Sequence, residues 1–151
     1  MKNWVHKYLS EEELKEIQNR ISGVEKFTSG EIRLCIRLKR SFKERKANLH
    51  DVAVHEFHSL GMQNTKHKTG VLIFIMFGER YFDILADEGI HKKIDDSVWK
   101  ELEEKMKEEF KKASYKTAII HVIEKIGKVL GKEFPREAGD INELPDEVDI
   151  K

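Results

Sequence analysis

Residues 70–86 read "GVLIFIMFGERYFDILA", and this stretch decides the fold. Its first part, 70–77, is an unbroken apolar run, which is typical of a central β-strand covered on both faces. Gly78-Glu79 predicts a tight turn, and residues 80–86 predict a further strand. Two strands joined by a tight turn must be antiparallel.

The segments before this hairpin predict a helix, a strand and a second helix. Ser10 and Glu13 match a capping box, so the first helix is expected over 10–25. Apolar residues alternate with more polar ones in "EIRLCIRL", 31–38, as in a half-buried strand. A helix expected over about 46–60 joins this strand to the apolar run. A helical connection makes the two strands parallel, with a right-handed crossover.

Two more helices are expected after the hairpin. One begins near Asp95 or Asp96, either of which could cap it. The other begins at Tyr115 or Lys116 and ends near Gly131. The predicted order is αβαββαα, an α/β fold built as a three-layer α/β/α sandwich on a small mixed sheet.

Composition predicts a single domain with a distinct tail. The chain has 151 residues, 28 basic and 28 acidic, so no bulk charge favours nucleic acid or a membrane. The folded domain is expected over 1–134. Residues 135–151 contain both prolines and an excess of acids, which predicts an extended or flexible acidic tail. No signal peptide or apolar span is evident, and the lone Cys35 fits a buried thiol. A soluble, cytoplasmic monomer without a transmembrane segment is therefore expected.

The predicted topology brings distant carboxylates to one edge of the sheet. The starts of the first two strands and the end of the third lie together there. Hard oxygen ligands suit Ca²⁺ or Mg²⁺. The alternative is that these side chains are turn and cap residues in water. The expected metal ligands are Glu31, Asp87, Glu88 and Asp96, and the expected groove residues are Thr28, Gly30, Asn64, Thr65, Gly70, Gly89 and His91.

Several segments resemble one known family. "TSGEIRL" (28–34), "GMQNTKHKTGVLIFI" (61–75) and "RYFDILADEGI" (80–90) resemble the TPM domain, a likeness that extends over about 5–135. The resemblance implies an α/β/α sandwich with a groove at the edge just described. It also implies a divalent metal, calcium in some relatives, and an acid phosphatase activity described for plant relatives. The positions that match the family pattern are Thr28, Gly30, Glu31, Thr65, Gly70, Asp87, Gly89, Ile90 and Asp96.

Three functions remain open at this point. The first is a domain that binds a divalent cation at this edge and acts as a binding or regulatory module for an unknown protein or a small phosphorylated ligand. The second is a metal-assisted acid phosphatase at the same groove, although no motif identifies catalytic residues. The third is an anionic-partner binder through the basic loop 37–46. Lys68-Thr69 stands where relatives often have Arg-Asn, which weakens an anion-binding role there.

Overall fold

A computed structural model describes residues 3–151, and its first long helix is the one the capping box predicts. Helix α1 spans Glu11–Glu25 after a short 3₁₀ helix at Asn3–Lys7. The Ser10 hydroxyl accepts a hydrogen bond from the Glu13 amide at 3.1 Å, and the Glu13 carboxylate accepts one from the Ser10 amide at 2.9 Å. Both partners therefore satisfy amides that a helix start leaves free.

The sheet has the predicted mixed topology. Strands β1 (Glu31–Arg37) and β2 (Gly70–Met76) are parallel, and β3 (Tyr81–Ala86) runs antiparallel to β2. The connection between β1 and β2 contains helix α2, Leu49–Ser59. β2 lies between β1 and β3, and all of its residues are buried. The central position expected from its apolar run is confirmed.

The helices after the hairpin extend the predicted pattern by one short element. Helix α3, Glu88–His91, was not expected. Helices α4 (Asp96–Lys111) and α5 (Tyr115–Glu133) begin where the sequence indicates, and α5 continues two residues past Gly131. None of the helices among residues 3–151 is both long and apolar enough to cross a membrane.

The two faces of the sheet bury separate apolar clusters. The larger cluster contains Ile32, Leu34 and Ile36 of β1 together with buried residues of α1, α4 and α5. The smaller one contains Cys35 of β1 and Phe74 of β2, covered by α2. Each fully buried aliphatic side chain stabilises the fold by about 1.5–3 kcal/mol. Helices on both faces confirm the α/β/α sandwich.

The acidic tail docks on the sheet, which the sequence did not predict. Residues Asp149–Ile150 form β4, which pairs in parallel with β1, so the sheet order is β3-β2-β1-β4. The Lys151 amide also donates to the Ile36 carbonyl at 2.9 Å. Without this strand, the outer edge of β1 would present unpaired backbone groups. The docked tail covers part of that edge.

Scattered apolar residues hold the tail against the domain. Val148 and Ile150 pack on the larger cluster, and Leu144 packs on the smaller one. These three residues are too few to show the period of 2 of a strand or the period of 3.6 of a helix. The local sequence of residues 135–151 therefore does not predict that this segment packs on the domain.

Candidate functional site

The structure brings the three expected segments to one edge of the sheet. Glu31, the first residue of β1, is opposite Gly70, the first residue of β2. The Asp87 amide, just after β3, donates to the Gly70 carbonyl at 2.9 Å. The backbones of these three segments are thus neighbours, as the topology requires.

Three of the four expected metal ligands nevertheless serve helix starts or face solvent. Asp87 caps α3, where its Oδ1 accepts a hydrogen bond from the Glu88 amide at 2.8 Å, while its Oδ2 is buried without a partner. Glu88 is exposed. Asp96 has a side chain that is 77% exposed, and its Oδ1 is 3.4 Å from His91 Nδ1. In the part of the chain that the structure describes, these carboxylates do not belong to a group of three side chains close enough to hold a metal ion.

Two of the expected groove residues are buried threonines that hold the backbone. The Thr28 hydroxyl donates to the Phe134 carbonyl at 2.6 Å and accepts from the Gly30 amide at 3.0 Å. The Thr65 hydroxyl accepts from the Thr69 amide at 2.9 Å. Both hydroxyls are therefore hydrogen-bonded to backbone groups.

The expected glycines are needed for close packing of the backbone. A Cβ on Gly89 would lie 2.2 Å from the His67 carbonyl oxygen, and one on Gly70 would lie 2.6 Å from the Met62 carbonyl oxygen. Neither contact is compatible with a side chain. Asn64 and His91 are both exposed.

Glu31 instead belongs to a buried cluster of carboxylates that the sequence did not reveal. Glu31 is 3% exposed and Glu25, the last residue of α1, is 4% exposed. One oxygen from each of Glu25, Glu31 and Asp146 lies within 4.8 Å of the others. Asp146 comes from the tail. We call these three residues the acidic cluster.

Hydrogen bonds satisfy only part of the acidic cluster. Glu25 Oε2 accepts from the Ile32 amide at 2.6 Å, and Glu31 Oε1 accepts from the Glu143 amide. Asp146 Oδ2 accepts from the Ser22 hydroxyl at 2.8 Å. Glu25 Oε1 and Glu31 Oε2 are buried and have no hydrogen-bond partner. Among the described residues, no amide, hydroxyl or basic group thus donates to these two oxygens, so only a proton on one of the carboxyl groups or an added cation can face them.

No basic side chain within residues 3–151 forms an ion pair with the acidic cluster. Among residues 3–151, no Lys, Arg or His nitrogen lies within 4.0 Å of its carboxylate oxygens. Arg136 is nearby, but its guanidinium donates to the backbone carbonyl of Glu25 at 3.0 Å and to the Asp140 carbonyl. The negative charge of the cluster is therefore balanced only by protons or by an added cation.

Burial and mutual contact redistribute protons within the cluster. Burial, with a hydrogen bond to Asp146, raises the pKa of Glu25 to about 11. Burial also raises the pKa of Glu31. For Asp146, burial opposes ionisation, but hydrogen bonds with Glu25, Ser22 and Asn142 outweigh it and lower its pKa. Glu25 is thus protonated at neutral pH, and its carboxyl group is hydrogen-bonded to Asp146.

The sequence pattern could have indicated that Glu25 is buried. Glu25 follows Ile21 by four residues and Ile17 by eight, so it lies on the buried stripe of α1. A carboxylate at such a position is rarely solvated. Asp146 carried no comparable signal, because its partners are more than one hundred residues away in the chain.

A second buried group lies further along β1. Cys35, Glu56 of α2 and Asp149 of β4 also have ligand atoms within 4.8 Å of one another. Here Lys151 Nζ is 3.1 Å from Glu56 Oε2, and Arg37 is 4.0 Å from Glu56 Oε1. Burial raises the pKa of the Cys35 thiol, so it is protonated, and its one S–H lies within hydrogen-bond distance of Glu56 and of Asp149. We call Cys35, Glu56 and Asp149 the neutralised cluster, because Lys151 and Arg37 place positive charge beside Glu56.

The basic loop 37–46 is partly neutralised by acids. Arg37 pairs with Glu44, whose pKa is lowered to about 2 mainly by this contact. Arg40 pairs with Glu79 at 2.6 Å. Fewer cations are therefore available for an anionic partner than the sequence suggests.

The molecule is thus a three-layer α/β/α domain with a buried acidic cluster at the start of β1. The chain belongs to the TPM domain family, whose model matches residues 5–129. The family resemblance predicted from the sequence is confirmed.

Two solved structures are similar to this domain. The NMR structure of the BA42 protein from the psychrophilic bacterium Bizionia argentinensis is 35% identical, with a TM-score of 0.85 over 95% of this chain and 96% of that one. The N-terminal domain of the cg2496 protein from Corynebacterium glutamicum is 12% identical, with a TM-score of 0.60 over 81% of this chain and 74% of that one, and shares the fold. No curated protein matches the chain significantly.

Proposed function

We propose that this TPM domain is a binding or regulatory module that takes up a divalent cation, Ca²⁺ or Mg²⁺, at the acidic cluster. The observation that carries the proposal is the pair of buried, unpartnered oxygens, Glu25 Oε1 and Glu31 Oε2. A buried carboxyl oxygen without a hydrogen-bond donor is costly. Carboxylate oxygens are the ligands that both ions prefer, and a cation would take the place of the missing donors.

The cation and the proton on Glu25 compete for the same oxygens. Because the pKa of Glu25 is about 11, uptake of a cation at neutral pH releases a proton. Affinity should therefore increase with pH. A shell of three protein carboxylates needs water to complete it, so a dissociation constant in the micromolar to millimolar range, roughly 10⁻⁵–10⁻³ M, is expected.

The test is a titration of the full chain with Ca²⁺ and with Mg²⁺, read by melting temperature and by amide spectra. A ligand that binds only the folded state raises the melting temperature in proportion to the logarithm of its concentration. Glu31→Gln should abolish this rise, because Gln keeps the acceptor for the Glu143 amide but removes the charge. Glu88→Gln, at the exposed start of α3, is the matched control and should respond as the wild type.

A third variant separates the acidic cluster from the site expected at α3. Asp87→Asn preserves a helix-capping side chain but removes the carboxylate. The cluster proposal requires that Asp87→Asn keep the cation response. If Asp87→Asn abolishes the response while Glu31→Gln retains it, the cation binds at α3 and the proposal is wrong.

Metal-assisted hydrolysis of a phosphate monoester is the alternative for the same cation. It requires a bound cation that activates water or the phosphoryl group. Incubation of the Ca²⁺- or Mg²⁺-loaded protein with p-nitrophenyl phosphate tests it directly. Turnover that Glu31→Gln abolishes and Glu88→Gln retains would replace the binding module with an enzyme.

A further inference from the structure

The end of the sheet opposite the acidic cluster contains a cleft with an aromatic floor. The cleft has a volume of about 490 Å³. It is lined by the end of β2, the start of β3 and the connection between α4 and α5. Four of the lining rings contact one another in a network: Phe77 stacks on Phe110 with centroids 6.0 Å apart, and Tyr115 and Phe82 meet these rings edge to face at 5.2–5.5 Å. Tyr8 stacks on Phe77 from the core side, with centroids 4.3 Å apart. A cleft of this size suits a small organic molecule.

The rim of this cleft is basic. Arg80, Lys107 and Lys111 line it. Across residues 3–151, no carboxylate oxygen lies within 4.0 Å of the charged nitrogens of these three side chains. The acid next to Arg80 in the chain, Glu79, is engaged with Arg40. The positive charge of the rim is therefore available to a ligand.

The three cations come from the turn between β2 and β3 and from the C-terminal part of α4. Arg80 follows the turn between β2 and β3 with φ at 52°, and Ala113 lies in the break between α4 and α5 with φ at 59°. Lys107 and Lys111 are four residues apart on α4, so they lie on one side of that helix. Phe110 is between them in the chain and contributes to the floor. Apolar rings and cations thus meet at one place.

We infer that this cleft binds an amphipathic organic anion, with its aryl or acyl body on the ring network and its carboxylate or phosphate at the basic rim. The rings would contribute by burial of apolar surface and by edge or face contacts with an aromatic body. The cations select a negative head group by charge complementarity. This site is separate from the acidic cluster, and ligand binding there does not require a bound metal ion.

The test uses 2-naphthoate, followed by amide shifts of the full-length protein, with neutral 2-naphthalenemethanol as its isostere. Naphthoate should give saturable shifts within residues 75–82 and 107–115, and should bind at least about fivefold tighter than the neutral compound. Lys107→Gln combined with Lys111→Gln should weaken naphthoate binding about tenfold. The matched control combines Lys100→Gln with Lys105→Gln, which are exposed on the same helix outside the cleft, and should change affinity less than about twofold.

Three results would overturn this inference. Shifts that fall outside the two segments would place the ligand elsewhere. Equal affinity for naphthoate and the neutral isostere, or equal weakening in the cleft variant and the control, would show that the rim does not select charge. Equally strong binding of inorganic phosphate alone would show that the ring network makes no contribution.

Discussion

The acidic cluster and the neutralised cluster lie on the same strand but handle buried charge differently. Both contain one residue of β1 and one acid of the tail, with Glu31 and Asp146 in the first and Cys35 and Asp149 in the second. In the neutralised cluster, Lys151 and Arg37 approach Glu56. In the described part of the chain, no such cation contacts the acidic cluster. A buried carboxylate is thus tolerated beside an internal cation, whereas without one it must keep a proton or take up a metal ion.

The largest expected effect comes from removing the tail that both clusters share. Truncation after Phe134 removes β4, Asp146 and Lys151, and it uncovers the edge of β1. We expect the melting temperature to fall by about 10 °C, on the order of 3 kcal/mol for a chain of this size. Thermal unfolding of the two chains, followed by circular dichroism, measures this difference.

The same truncation tests whether residues 1–134 form a domain on their own. A cooperative transition in the truncated chain would support that boundary, which remains a prediction from the sequence. A melting temperature within about 2 °C of the full chain would mean that the tail contributes little, and that the two clusters do not depend on it.

The next effect should come from the cation of the neutralised cluster. Lys151→Met keeps an unbranched side chain but leaves the buried Glu56 with Arg37 alone. Loss of one partner of a buried pair destabilises a protein, and because Lys151 is partly exposed we expect about 1.5 kcal/mol, or about 5 °C. Lys100→Met, an exposed change on α4, is the control. Equal melting temperatures for both variants would show that Lys151 does not neutralise Glu56.

A smaller effect of opposite sign is expected in the acidic cluster. Glu25→Gln mimics the protonated acid, since its amide can accept from Ile32 and donate to Asp146. The folded pKa of about 11 lies above the ordinary value of 4.5. The stabilising contribution of Glu25 is thus fully present below pH 4.5 and is lost as the pH rises toward 11.

Glu25→Gln should therefore raise the melting temperature of the metal-free protein by about 4 °C near pH 8 and by much less near pH 5. Glu101→Gln, on the exposed side of α4, should show no such pH dependence. A gain that is the same at both pH values would mean that the protonation of Glu25 is not what limits stability. Thermal scans in a chelating buffer at several pH values supply the measurement.

The smallest effect is expected at the thiol of the neutralised cluster. Cys35→Ala removes a weak S–H donor to Glu56 and Asp149, at 3.3 and 3.4 Å, and little volume. We expect a loss of about 0.5 kcal/mol, or about 2 °C. A loss as large as that of Lys151→Met would indicate that the thiol proton, and not the ammonium group, balances these carboxylates.

The order and pairing of β1, β2 and β3 could be predicted from local sequence signals. The apolar run 70–77 marks a strand that is covered on both faces, and the short turn after it forces β3 to run back along it. The capping box at Ser10 and Glu13 marks the start of α1. Each of these signals involves only a few neighbouring residues, so it can be recognised without knowledge of the rest of the fold.

The candidate site was only partly predictable, for a different reason. Topology correctly brings the backbones of Glu31, Gly70 and Asp87 to one edge. It does not specify where each side chain finds a partner. Asp87 caps α3, whereas Glu31 accepts a hydrogen bond from the tail amide of Glu143.

The sequence by itself determined the four long helices, the pairing of β2 with β1 and with β3, and the family. Only the tertiary structure decided that the tail docks as β4 and that Asp146 meets Glu25 and Glu31. Local patterns depend on periodic burial within one element. The acidic cluster instead depends on contacts across more than one hundred residues, made by a segment with no period of its own. Those contacts form because the exposed edge of β1 offers backbone groups that a returning chain can satisfy.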